Sequence, residues 1–580
     1  MTHGPIAATA DLSGGGLGGE AGGAGPVRPP GGLEFIQVAF AGHNRSSDLG
    51  DRDALSTHLD RAFQLLTEAG VTEAKLLTGL AEGADVIAAR AWREAGHGPI
   101  HVVFPFLEDR PPPEERALAE LASWLDGAST ARKGRNPHLA QTRWILGSAD
   151  LLVAVWSGEH GRGAGGTADA VRLALEHGIP VVWVQPGSPR LRLIQPQHLA
   201  EDFGFQEFIE MLEEERAPLV AELTAPALRR ALEDVGVEAA DRPTPAREPL
   251  RRHRRAHIYG WFRRTLGGPI APLDNAEAPA DLAAQPGFAR LTSALKAAGA
   301  EAEQLGALHR SHQVILLGLA VAAAITGSLP GMWPDLKPWC VAGELALALA
   351  ALLIWLDSER THTHQRWAVA RRITEDLRIE RVSWTIGMPS SRHGILAVSA
   401  EDAARERRRA GLPVGVFDED RVRRWGRWAV DELMGGQAAY HRRHGLTNGR
   451  ISHRVHLFEN LSFTILLTVL VGYLATAAWD AIVGGAGPPH WVGGLVFMAG
   501  AIVPAIGAAG LALEATLSLR EEAQRSSELA VRLETLATSL GDAPGLPALQ
   551  NVAGAAIRLQ RAQEDRWLEG AVRRRLVRGG

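Results

Sequence analysis

A parallel, doubly wound α/β sheet of Rossmann-like type, joined to an all-α membrane domain with four transmembrane helices, is the architecture that this 580-residue sequence predicts. Three observations carry that expectation. Between residues 35 and 186, short runs rich in Val, Ile and Leu alternate with helical stretches, as in parallel strands buried on both faces. Four longer apolar segments occupy the second half. A hydrophobic content of 46% with a mean hydropathy of −0.05 is too polar for a wholly integral membrane protein. It fits a soluble half fused to a membrane half.

The elements follow in order. Residues 1–32 are dense in Gly and Pro and cannot bury enough surface to fold, so a disordered leader is expected. That stretch does not read as a signal peptide, lacking its basic and apolar regions, so the first domain is expected in the cytosol. FIQVAFAG (35–42) reads as a strand and DALSTHLDRAFQLLTEAG (53–70) as a helix ending at glycine. KLLTG (75–79), the helix EGADVIAARAWREAG (82–96) and IHVVFPF (100–106) continue the alternation, followed by helical segments to about 147. ADLLVAVW (149–156), the helix TADAVRLALEHG (167–178) and IPVVWVQP (179–186) complete a domain over 33–190. Residues 191–286 read as a mixed connector.

A net charge of −5 exerts no general pull on nucleic acid. The single cysteine, Cys340, excludes an intrachain disulfide framework and a cysteine-based zinc site. The run PLRRHRRAHIYGWFRR (249–264) is basic and aromatic. A solvated helix face, anionic lipid contact and nucleic-acid contact are all compatible with it, and lipid is favoured over nucleic acid so near a membrane segment.

Three loops fall at the carboxyl ends of strands, where doubly wound sheets bind ligands. In AGHNRSSDLG (41–50), Gly42 closes the strand, His43 and Arg45 can donate to anionic oxygens, and Ser46 and Ser47 offer hydroxyls. In TGLAEGAD (78–85), Gly79, Glu82 and Gly83 lead into a helix, with Asp85 in its first turn. In VWSGEHGRGAGGTADAV (155–171), Ser157, Gly158, Gly165 and Gly166 precede Thr167, whose helix offers a dipole and N–H groups to phosphate. An ordinary polar turn, a tight turn and a flexible surface loop, respectively, read the same way.

These segments, AGHNR, TGLAEGAD, ADLLVAVWSG and GGTADAV with IPVVWV beyond, resemble the SLOG superfamily over residues 35–190. That group includes the LOG phosphoribohydrolases, DprA-type proteins and sensor domains of bacterial defence systems. The resemblance implies a nucleotide or nucleotide-derived signal, with Gly165, Gly166 and Thr167 against phosphate. LOG hydrolases carry a catalytic glutamate three residues after that threonine; here the position is Ala170, which can neither transfer a proton nor stabilise an oxocarbenium ion. Asp169 lies about 100° away around the helix, where it can reach a ribose hydroxyl or stand in for the acid. Binding without catalysis is therefore expected, with no catalytic residue and no required cofactor. A membrane-tethered LOG-like hydrolase is the alternative, and a scaffold with a vestigial site is a third.

The apolar segments are 314–330, 339–356, 462–482 and 491–513; the last two meet the length of a membrane span, and the shorter first pair also reads as a buried hairpin. Trp333, Trp339, Trp355, Trp479 and Trp491 stand at segment ends, as interfacial aromatics do. Arginines cluster on the outer flanks, from Arg310 and Arg360 to Arg442, Arg454 and Arg520. The positive-inside rule then places both termini and residues 357–461 in the cytosol of a cell with an inner membrane. Glu344 is a candidate pore-lining acid, with snorkelling to the interface as the other reading. Pro504 is expected to kink the fourth span.

Two halves, 287–384 and 451–580 with a linker at 385–450, share a layout. Each has a His-rich helix (HRSH, 309–312; HRVH, 453–456), two spans and a polar helix. The layout, with Leu377 and Arg378, resembles the SLATT family of membrane effector domains. No metal site is expected from the histidine pairs. Together the resemblances imply a nucleotide-signal-binding effector that perturbs the inner membrane in antiviral defence. The ligand would be NAD-derived or a cyclic nucleotide. The expected partners are the bilayer, further copies of the chain and a signal-producing enzyme, without nucleic acid.

Overall fold

The computed structural model describes residues 33–43, 49–106, 112–125, 137–161, 165–188, 190–196, 205–213, 220–237, 256–268, 276–389, 397–483, 489–540 and 545–578. The expected leader lies outside them. The strands are β1 (Ile36–Gly42), β2 (Ala74–Thr78), β3 (Ile100–Phe104), β4 (Leu121–Trp124), β5 (Leu151–Val155), β6 (Val181–Val184), β7 (Leu191–Ile194), β8 (Val220–Glu222) and β9 (Gly415–Val416). They form one sheet in the order β8-β7-β6-β5-β1-β2-β3-β4-β9. All neighbours pair parallel except β6 with β7 and β7 with β8. The chain runs outward from β1 to β4 and then returns to β5 on the other side of β1. That reversal is the topological switch point of a doubly wound sheet.

Sequence patterning stops the sheet at residue 186, and the structure extends it. β4 lies where only helix was expected, and β7, β8 and β9 come from later residues. All four are short and only partly buried, so their pairing comes from the neighbouring strand and not from an apolar run.

Alternation along each strand builds two cores. Val38, Phe40, Leu76, Val102, Leu151 and Val153 face helices α1 (Arg52–Glu68) and α2 (Ala84–Glu94), where Phe63 and Trp92 meet edge to face. Ala39, Leu77, Val103, Leu152 and Ala154 face α3 (Pro137–Leu146) and α4 (Thr167–Glu176). This second core continues without a break into Trp384, Trp425, Leu529 and Leu549 of the C-terminal half.

Apart from β9, the regular elements described in the C-terminal region are helical: α5 (Pro286–Ser328), α6 (Lys337–Arg360), α7 (Thr363–Thr385), α8 (Ala397–Ala410), α9 (Glu419–Val430), α10 (Gly436–Val483), α11 (His490–Leu517), α12 (Leu519–Thr538) and α13 (Leu546–Arg578). Four helical stretches, containing α5, α6, α10 and α11, are long and apolar enough to cross a membrane. α5 runs unbroken for 43 residues, about 65 Å, from the core shared with the sheet into the first apolar stretch. The repeated layout is visible as two triads, α5-α6-α7 and α10-α11-α12. Each polar third helix follows its span at a single left-handed residue, His362 (φ +47°) and Ser518 (φ +48°).

α7 is polar in sequence yet enclosed. Arg372, Asp376 and Glu380 are 1–2% exposed. Each charge meets its opposite: Arg372 bonds Asp376 at 3.2 Å and Asp565 at 2.7 Å, and Arg371 bonds Glu564 at 2.9 Å. Arg381 bonds Glu432. Buried charges persist only when paired in this way.

α8 carries the sheet. Arg408 donates to Asp150 at 2.8 Å, and Asp150 also accepts the Gln37 N–H at 2.9 Å. Arg405 reaches Glu34 at 3.1 Å. Arg407 donates to the carbonyls of Gly147, Glu380 and Met388. These bonds lie at the amino ends of β1 and β5, opposite the switch point.

Candidate functional site

The switch point lies at the carboxyl ends of β1 and β5, and the structure brings the sequence-derived residues to it from three loops. Gly42 ends β1, and the following carbonyl, of His43, accepts the N–H of Ala84 at 3.2 Å. His43 Nε2 accepts the Ser157 N–H at 3.0 Å, joining the first loop to the third across the switch. Gly158 (φ +92°) then turns the chain beneath the Trp183 ring. Arg45, Ser46 and Ser47 lie outside the described residues, as do 162–164.

The second loop is closed from within. Asp85 is 6% exposed and accepts from Thr78 Oγ1 at 3.0 Å and from the Ala81 N–H at 3.3 Å. The Gly42 and Gly79 N–H groups also bond it. Burial raises its pKa to about 6 despite these donors. Leu80 is held at φ +50°, an uncommon conformation for a side chain of its size, with its N–H on Thr78 Oγ1. Gly83 caps α2 at φ +107°, which only glycine adopts without strain. Glu82 is exposed on the rim.

The third loop repeats the device. Gly166 caps α4 without a side-chain bond, and Thr167 begins the helix, almost buried. Asp169 turns back to accept the Gly165 N–H at 2.7 Å and pairs with Arg172 at 3.4 Å. Gly165 sits at φ +87°, with the Leu139 N–H only 2.5 Å from where a Cβ would lie. α3 therefore packs across the mouth of both loops. Gln141 on the same helix reaches Val103 O at 2.6 Å and lies against Gly79. Ala170, one residue beyond Asp169 along α4, is 2% exposed.

Sequence reading missed Asp85 as a loop clasp and Gln141 as a cover. The acidic residue in a helix's first turn signalled the first; nothing local signalled the second.

Glu344 stands apart, in the membrane half. Its carboxylate lies against Gly327 of the neighbouring helix α5. A cleft of about 660 Å³ opens nearby, between the first hairpin's turn (Gly327, Gly331, Lys337) and the start of α11 (Gly493, Phe497). Neither a family model nor a curated protein matches this chain.

Proposed function

We propose that the chain is a membrane effector governed by a nucleotide-derived ligand held at the switch point. The observation that supports this reading is the buried union of sheet and membrane helices. Asp150 at the base of β5 bonds Arg408, while Arg407 on the same helix bonds α7, which follows the second span. In this reading, a change at the loops of β1 and β5 passes along the strands to this charge-paired contact at their amino ends, and from there to the spans. A ligand can drive such a change only by binding the active arrangement more tightly than the resting one.

In this reading Gly165, Gly166 and Thr167 meet the phosphate, which competes with the Asp169 carboxylate for the Gly165 N–H. His43, Ser157 and Gly158 frame the sugar side. The response is perturbation of the bilayer, and antiviral defence is the role that the SLOG and SLATT resemblances imply.

The test is thermal stability of the full-length protein in detergent against NAD, ADP-ribose, cyclic ADP-ribose-type compounds, AMP and cyclic dinucleotides. A true ligand at a hundred times its Kd adds about 2.7 kcal/mol, is recovered unconsumed and loses its effect in Gly166→Glu. The absence of any shift across the panel would sink the reading.

A second reading, a tethered nucleotide hydrolase, draws on Asp85, a buried acid at the same loops whose pKa of about 6 suits proton transfer. Consumption of AMP-type compounds to free base, abolished in Asp85→Asn, would replace the first reading with this one.

A further inference from the structure

The basic, aromatic helix His257–Gly267 belongs to neither the sheet nor the spans, yet it is bonded to two of them. At its start the Tyr259 N–H donates to Ser311 Oγ of α5 at 3.0 Å, and that hydroxyl donates to Ala256 O at 3.3 Å. The Arg310 guanidinium lies 5.2 Å from the centre of the Tyr259 ring. At its end Gly267 packs against Thr447 and Ile451 of α10. Arg454 donates to Thr265 O at 2.9 Å, a cation at the negative end of the helix.

The two faces of this helix differ. Phe262 and Leu266 pack inward with Val314, Leu317, Val455, Leu513 and Leu519, where the apolar spans begin and end. His257, Trp261, Arg264 and Thr265 face outward, and Trp261 is 62% exposed. Arg450 and Arg454 are exposed on α10 beside it. One turn beyond Arg454, Leu457 and Phe458 begin the exposed apolar surface of the third span. Arg454 thus sits about 5 Å, and Arg450 about 10 Å, along the helix axis from the start of that apolar surface, within the depth of lipid headgroups. Among the described residues, Arg264 and Arg450 have no carboxylate partner.

We propose that this helix, with Arg264, Arg450 and Arg454, is a binding site for anionic phospholipid headgroups, with Trp261 seated at the interface. The inference rests on the membrane-spanning reading of α5 and α10. Charge complementarity selects the occupant: arginines bind phosphate bidentately, an exposed indole prefers the interface, and an anionic leaflet supplies the counter-charge. Because the helix bonds both α5 and α10, lipid held there fixes one helix of each triad relative to the other.

The test titrates the full-length protein in detergent with fluorescent phosphatidylglycerol and, separately, with phosphatidylcholine. Tighter binding of phosphatidylglycerol is expected, weakened by salt and by about fivefold for each of Arg264→Gln and Arg450→Gln. Both side chains are exposed, so these variants keep the fold, and Arg427→Gln on a distant exposed surface should bind as the parent does. Equal affinity for the two lipids, or unchanged affinity in the double variant, overturns the proposal. So does displacement of the lipid by inorganic phosphate or by a DNA oligonucleotide at equal concentration, which assigns the arginines to a soluble phosphate or to nucleic acid. Flotation with liposomes separates the two levels of failure. A chain that floats with neutral and anionic vesicles but shows no preference loses only the headgroup site, whereas one that floats with neither loses the membrane reading itself.

Discussion

His101 shows how one residue ties burial to pH. It is fully buried on β3, its Nε2 is 2.8 Å from Ser123 Oγ, and that hydroxyl donates to Pro413 O. Burial, with a smaller contribution from Lys75, lowers its pKa to about 3. A base whose folded pKa is depressed stays neutral in the fold while the unfolded chain takes up a proton below about 6.5. Stability is therefore lost as pH falls from 6.5, by about 2 kcal/mol from this residue at pH 5. We expect the apparent Tm of His101→Gln to fall less steeply between pH 7 and pH 5 than that of the parent; parallel curves would refute this. His441, lowered to about 4 by burial, acts in the same direction. At the switch point, Gly165→Ala places a Cβ on the Leu139 backbone in a conformation disfavoured for alanine. A loss of more than about 1 kcal/mol is expected, and denaturant midpoints would show it. Gly165 was legible in the glycine-rich sequence, but the reason for it, the approach of α3, was not.

At the scale of elements, the connection of α8 to the sheet carries the argument. Arg408 is 3% exposed and Asp150 is fully buried, so neither charge has water to fall back on. Arg408→Ala strands the carboxylate and should cost about 3–5 kcal/mol. The paired replacement of Arg408 by Met and Asp150 by Leu should recover much of that loss, because two apolar groups leave no orphaned charge. A double-mutant cycle on thermal unfolding measures the coupling, and additive losses would show that the pair is not a unit. The helices α1, α2 and α4 were legible from periodicity and terminal glycines. α8 and α7 were not legible as core, since RERRRAG and RITEDLRIER look like solvated faces until their partners, as many as 371 residues away, are known.

For the whole molecule, the second core is the decisive feature. It joins Ala39 and Leu152 of the sheet to Trp384 and Leu529 of the C-terminal half. A fragment ending near residue 250 would expose that face to water, so it is expected to aggregate where the full chain in detergent does not. Size-exclusion profiles of the two decide the point. Topology is testable on the same scale. With Cys340 replaced by Ser, a cysteine at Asp335 between the first two spans and one at Glu528 in α12 should label from opposite sides of the membrane. Labelling from the same side would overturn the orientation drawn from arginine placement. The sequence by itself determined the parallel sheet, the glycine-bearing loops at its strand ends, the four apolar helices and the repeated layout, because each is written in local periodicity and residue type. Only the tertiary structure decided that strands β4, β7, β8 and β9 complete the sheet, that Asp85 and Asp169 clasp its loops, and that a charged helix forms the buried centre. Those outcomes depend on partners distant in sequence, whose pairing energy no local pattern records.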